Sequence, residues 1–168
     1  MKELKPADYE LLFELIKNSH RSDRQLAKVL KISQPTITRR RKFLEKDFIQ
    51  EYTAIPKFEK IGYGLIAFTF VKSALRNATL EQQREAVARG REWVMKQHSV
   101  VLALSAQGMG YDGLAVSFHR NYSDYVAFMR KFKTEASEFI RDCESFLSLL
   151  TPESVIKPPS LKYLAKMK

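Results

Sequence analysis

The sequence offers almost no sulfur chemistry. Its 168 residues include one cysteine, Cys143. No internal disulfide can form, and a cysteine-ligated zinc site is excluded. No apolar run approaches the ~18 residues needed to span a bilayer, so no membrane partner is expected. The opening residues, Met1 to Pro6, lack the apolar core of a signal peptide, which predicts a cytoplasmic location. Histidine is scarce, and His20, His98 and His119 are far apart in sequence. There is no His-x-x-x-His pair, no serine nucleophile elbow and no phosphate-binding glycine loop. The run Gly108 to Gly113 lacks both the glycine spacing and the following helix of a dinucleotide site. The expectation is therefore no metal, no cofactor and no enzyme.

What the chain does have is positive charge. Lys and Arg number 29 against 19 Asp and Glu, a net charge of +10. Apolar residues make up 45%, enough for a packed core, which rules out wholesale disorder. Residues 1–60 and 61–168 share the net charge equally, so the clustering carries the information. Arg39, Arg40, Arg41 and Lys42 are consecutive, and Lys46 lies one helical turn beyond. An excess of this sign points to a polyanion.

The cluster sits in a three-helix pattern. Tyr9, Leu12, Phe13, Leu15 and Ile16 recur near a 3.6-residue period, and Pro6 suits a helix start. Ser22 with Gln25 reads as a capping box opening a second helix, striped by Leu26, Val29 and Leu30. Lys31-Ile32 is a short turn. Ser33 then caps a third helix, with Pro35 tolerated in its first turn. On a helical wheel Ile37, Leu44 and Phe48 face the core. Pro35, Thr38, Arg39, Lys42 and Lys46 point the opposite way. Thr36, Arg40 and Phe43 occupy one flank, Gln34 and Arg41 the other. A major groove admits one such helix and calls for charge toward phosphates and short polar groups toward base edges. The N-terminal residues of such a helix supply most base contacts, with Arg39 the expected guanine reader. Ile49 to Ile55 alternates as a strand that Pro56 ends.

The stretch from about Leu4 to Tyr63 resembles the Lrp/AsnC family of prokaryotic transcription regulators. The resemblance rests on Asp8, on the spacing of Ser33, Thr36, Arg39, Arg40, Leu44, Glu45 and Ile49, and on the Tyr52-Thr53-Ala54 and Ile61-Gly62-Tyr63 pieces. Two positions depart from the family pattern. Arg41 replaces an aliphatic residue, and Asp47 replaces a glycine after the third helix. The DNA-binding set that follows is Ser22, Gln25, Ser33, Gln34, Pro35, Thr36, Thr38, Arg39, Arg40, Arg41, Lys42 and Lys46. The resemblance also implies a homodimer or higher even-numbered assembly, with strand 49–55 pairing with its counterpart in the second copy.

The remaining two thirds alternate strand and helix patterns. Leu65–Val71 reads as a strand with a bulky face, Ile66, Phe68 and Phe70, turned to the core. Thr79 with Gln82 opens a helix to about Gln97. Strands are expected at 99–105 and 114–118, linked through Gly108, Gly110 and Gly113 as a hairpin requires. A last long helix runs from near Asn121 or Ser123 with Cys143 in phase as a small buried core residue. Residues 146–150 form a final strand, and Pro152, Pro158 and Pro159 make the tail irregular. The order is βαββαβ, a ferredoxin-like α+β unit.

The expected fold class is α+β, a winged helix-turn-helix followed by a ferredoxin-like domain. Its parts are a DNA-binding domain at 1–56, a linker at 57–63, a dimerisation and effector domain at 64–156 and a tail at 157–168. The family resemblance implies an amino-acid effector on Gly108, Gly110, Tyr111 and Asp112. The predicted function is sequence-specific recognition of double-stranded DNA. Two alternatives are a sirohaem decarboxylase-like enzyme, which resembles the same family and would use His98 or His119, and an RNA-binding module.

Overall fold

The computed structural model describes residues 3–74 and 79–166. The chain divides into two compact units, residues 1–55 with 158–168, and residues 56–157.

The first unit is built on α1 (Pro6–Lys17), α2 (Asp23–Leu30) and α3 (Gln34–Asp47). Pro6 starts α1, and Asp8 accepts the Lys5 N–H at 3.0 Å, satisfying a donor that the helix cannot. The Ser22 and Gln25 box forms as expected: Gln25 N–H reaches Ser22 Oγ at 3.3 Å, and Ser22 N–H reaches Gln25 Oε1 at 2.8 Å. Lys31 closes α2 in the left-handed conformation, φ 55°. Leu11, Leu15, Leu26, Ile37 and Leu44 are buried together, one set from each helix.

Four details correct the sequence expectation. Phe48 is 38% exposed and not a core residue; Phe43 packs on the core instead, with the Phe48 ring against it at 5.3 Å. Ser33 occupies the N-cap of α3 but makes no capping bond, because its hydroxyl is engaged with Thr36 Oγ1 at 2.8 Å. Residues 49–55 form no strand. A strand exists only through its ladder, and none of the described residues offers one. The segment is held by Tyr52, whose hydroxyl donates to Glu45 Oε1 at 3.1 Å. The tail is not irregular throughout. Leu161–Lys166 forms a 3-10 turn along α1 with Ala165 buried. The Ser160 hydroxyl starts that turn by accepting the Lys162 N–H at 3.3 Å.

In the second unit, a 3-10 turn (Phe58–Ile61) precedes β1 (Leu65–Ser73), α4 (Leu80–Met95), β2 (Val100–Gly108), β3 (Tyr111–His119), α5 (Tyr122–Glu135) and β4 (Ile140–Leu149). The sheet is antiparallel in every pairing, in the order β2-β3-β1-β4. This is the ferredoxin-like arrangement. The Thr79 and Gln82 box opens α4. Met109 and Gly110, φ 51° and 79°, make a two-residue hairpin turn between β2 and β3. Gly113 is in β3, where an added Cβ would lie 3.2 Å from the Leu104 carbonyl oxygen.

The last helix is shorter than its periodicity predicts. It ends at Glu135, and Ile140 to Cys143 belong to β4. Thr134 Oγ1 bonds back to Arg130 O and Ser137 Oγ to Thr134 O, local bonds that compete with the helix ladder. Cys143 is therefore half-buried on a strand, packed on the cluster of Met129, Phe132 and Ala136, and burial raises its thiol pKa.

The faces of β1 are also reversed from expectation. The small residues Ala67 and Thr69 are buried under the helices, with Thr69 Oγ1 and Ser145 Oγ 2.9 Å apart. Small side chains let α5 approach β1 and β3 closely. The bulky Ile66, Phe68 and Phe70 turn to the other face, beside Leu114, Val116 and Phe118 of β3. Phe146 of β4, 67% exposed, and Leu102 and Leu104 of β2, also exposed, continue that apolar face. Phe58 stacks on Phe118 at 4.3 Å and, with Tyr63, covers one corner of it.

Candidate nucleic-acid interface

The basic run on α3 divides into side chains that turn inward and side chains that turn outward. Arg40 reaches across to α1, Nη1 to Asp8 Oδ1 at 2.5 Å, and Asp8 is buried. Arg41 turns the other way. Its Nη1 lies 3.2 Å from Asp23 Oδ1 and from the Arg21 carbonyl, and its Nε donates to Glu45 Oε1 at 2.9 Å. The Tyr52 ring lies beneath it at 5.7 Å. Burial lowers the Arg41 pKa, but the bonds to Glu45 and Asp23 outweigh it and hold the value above the ordinary one. Thr38 Oγ1 donates to Asp23 Oδ2 at 2.6 Å. Arg40 thus sets α3 against α1, while Arg41 and Thr38 set it against α2.

The remaining groups face solvent. Gln34, Pro35, Arg39, Lys42 and Lys46 are exposed. Arg39, Lys42 and Lys46 have no side-chain partner among the described residues. Gln34, Pro35, Thr38, Arg39 and Lys42 line one shallow concavity of about 730 Å³. It combines an amide, a hydroxyl and two cations, the chemistry that base edges and phosphates require. Of the residues expected here, Ser22 and Gln25 are tied into the cap of α2, and Ser33 and Thr36 bond each other. Sequence reasoning missed Asp23 and Glu45 as the anchors that orient the basic run. Their signal was the i,i+4 spacing of Arg41 and Glu45 on α3, and an acidic residue, Asp23, in the first turn of the helix packed on it.

Residues 4–47 match the family described as winged helix-turn-helix DNA-binding. The N-terminal helices are a winged helix-turn-helix. Known structures extend the likeness to the whole fold. A transcriptional regulator of Neisseria meningitidis, solved as a complex with L-Met, aligns with a TM-score of 0.76 at 23% identity, over 96% of this chain and 99% of that one. An AsnC family transcriptional regulator of Agrobacterium tumefaciens gives 0.75 and 23% over 96% and 99%. AsnC of E. coli gives 0.70 and 16% over 95% and 99%. No curated protein matches the sequence significantly. The chain has the fold of the AsnC-type regulators.

The four expected effector residues lie at one end of the sheet. Gly108 pairs with Tyr111 across the hairpin. Asp112 Oδ2 accepts the Ser73 N–H at 2.8 Å, so this carboxylate fastens β3 to the end of β1. The Lys72 ammonium lies over the Tyr111 ring at 4.7 Å, and a hydrogen bond to Glu144 raises the Tyr111 pKa. Of the histidines weighed for an enzyme, His98 is exposed and His119 is buried. His119 Nε2 is 2.8 Å from Ser117 Oγ, and its ring packs against Tyr125 and Phe128.

Proposed function

We propose that this chain is a sequence-specific DNA-binding transcription regulator of Lrp/AsnC type. It works as a homodimer or larger even-numbered assembly and is modulated by a small molecule. The observation that carries the reading is the division of labour on α3. Arg40 and Arg41 are spent on intramolecular carboxylates, whereas Gln34, Arg39, Lys42 and Lys46 stay exposed on one face. Three uncommitted cations beside an exposed amide on one face offer a polyanion both charge and hydrogen-bonding groups. The L-Met complex of the Neisseria regulator supports a small-molecule modulator, and the apolar sheet face of unit 2 supports a second copy.

Selection of duplexes from a random library tests the reading. A pseudo-palindrome with half-sites about one helical turn, or a multiple, apart is expected. Absence of any enriched sequence overturns it. Arg39→Ala should cost about 1–3 kcal/mol on the selected site and relax one base position. Lys46→Ala should weaken all duplexes alike and lower the salt slope by about 1. Stronger binding of single-stranded RNA at equal salt would move the assignment to RNA.

A further inference from the structure

Asp23 opens α2, and Thr38 lies just past the first turn of α3. The Thr38 hydroxyl carries one proton and two lone pairs. Two acceptors are within its reach, Asp23 Oδ2 at 2.6 Å and the Gln34 carbonyl oxygen at 3.2 Å. Neither a carboxylate nor a carbonyl has a proton to give back. The shorter contact has the length of a charge-assisted O–H···O⁻ bond, roughly twice as strong as a neutral one, so Asp23 decides where the proton goes. The bond to Gln34 alone would leave the hydroxyl able to turn its proton outward. Asp23 is fixed in turn from its other oxygen, where Arg41 Nη1 lies 3.2 Å from Oδ1.

Thr38 also lines the concavity on α3, beside Gln34, Pro35, Arg39 and Lys42. With its proton held by Asp23, it offers lone pairs there and no donor. Its neighbours differ. Arg39 and Lys42 only donate, the Gln34 amide does either, and Pro35 has no polar side chain. The Ser33 and Thr36 hydroxyls, 2.8 Å apart, can exchange roles, so that pair has no fixed sense. A threonine hydroxyl ordinarily suits any base edge, because it rotates to donate or accept. Here the choice is made before a duplex arrives. The donors in the major groove are exocyclic amino groups, N6 of adenine and N4 of cytosine, whereas guanine O6 and thymine O4 accept. An acceptor set against O6 or O4 would bring lone pair against lone pair. We infer that Thr38 is a specificity-determining residue that reads a base amino group, adenine N6 or cytosine N4, and that Asp23 is the positioning residue that sets its polarity. This role rests on the reading of α3 as the helix that enters the major groove, and it gives one position of the bound site its chemistry.

Duplex selection with the full chain and with Thr38→Val tests it, since valine keeps the branched shape and lacks the hydroxyl. One position of the wild-type site should hold adenine or cytosine on one strand, and Thr38→Val should lose the preference there and nowhere else. Unsubstituted purine in place of that adenine, or pyrimidin-2-one in place of that cytosine, deletes the amino group. The deletion should weaken the wild-type chain about three- to tenfold, the worth of one hydrogen bond, and change Thr38→Val by less than about twofold. Asp23→Ala frees the hydroxyl and should cut the preference for amino over keto bases at that position about threefold. Arg41→Leu removes the same ion pair but leaves the bond from Thr38 to Asp23, and should keep the preference. The assignment is overturned if Thr38→Val alters no position, or if the position it alters holds guanine or thymine. It is equally overturned if deleting the amino group costs both chains alike, if Asp23→Ala keeps the preference intact, or if Arg41→Leu erases it as fully. The base-analogue comparison decides should Asp23→Ala not fold. A wild-type chain that enriches no sequence defeats the DNA reading and this role with it, whereas an enriched site indifferent to Thr38→Val defeats this role alone.

Discussion

Asp8 is 3% exposed and holds both the Lys5 N–H and the Arg40 guanidinium. Arg40 Nε is buried with no hydrogen-bond partner among the described residues, so the pair already carries an uncompensated donor. Asp8→Ala would leave the whole guanidinium half-buried and unpaired. A loss of about 3 kcal/mol is expected in urea unfolding, and Arg40→Met in the same chain should recover part of it. His119 gives a pH effect of definite sign. Burial lowers its pKa, opposed by the more distant Asp124 carboxylate. The unfolded chain protonates this ring near pH 6.5, while the folded protein resists. Between the lowered folded value and 6.5 the unfolded state binds more protons, so stability falls as pH falls through that window. Melts from pH 7.5 down to 5 should show the decline, and His119→Gln should flatten it. Neither role was legible in the sequence. Asp8 stood out only through the family resemblance, and a lone His near a strand end carries no sign of the Tyr125 and Phe128 rings that enclose it.

Among the elements, those with end signals were read well. Ser22 with Gln25 and Thr79 with Gln82 form the reciprocal bonds that their spacing implies. Thr79→Ala should therefore cost about 1 kcal/mol and raise amide exchange in the first turn of α4. Where an end signal was missing, a boundary or a face could be misjudged. Phe139, Ile140 and Cys143 continue a helical period from Phe132, yet Thr134 and Ser137 divert the backbone and β4 begins at Ile140. Period alone could not reveal that, because a short apolar run fits either element. Asp47 is a further case. It stands where a glycine would reverse the chain, but it remains helical, and Phe48 ends α3 outside the left-handed region. The orientation of β1 was misread for a different reason. Alternation shows that a strand has two faces but not which one the helices cover. Here the helices need the small face, and the bulky one is left for other contacts.

For the molecule as a whole, those other contacts are the test. Phe146, Phe68, Leu102 and Leu104 belong to one apolar sheet face, and 49–55 has no ladder partner among the described residues. In the proposed homodimer both are satisfied by a second copy. Phe146→Asp should shift the mass in light scattering from an even-numbered assembly toward the monomer. It should also lower affinity for the two-half-site duplex much more than for a single half-site, since linkage of the two helices is lost. An unchanged mass would remove this face from the interface. The overall α+β order and the two-part plan were legible because helix and strand periods alternate cleanly. The closure of unit 1 by the tail was not, because Leu161–Lys166 carries no period that names α1 as its neighbour.

That closure bears on how the protein is made. Leu161–Lys166 leaves the ribosome after everything that separates it from α1. At roughly 5–20 residues per second the interval is on the order of ten seconds. The core of Leu11, Leu15, Leu26, Ile37 and Leu44 is local in sequence and can assemble within that interval. The nascent DNA-binding unit thus forms early with one flank of α1 bare, and the tail seals it only once the intervening ferredoxin-like domain has emerged.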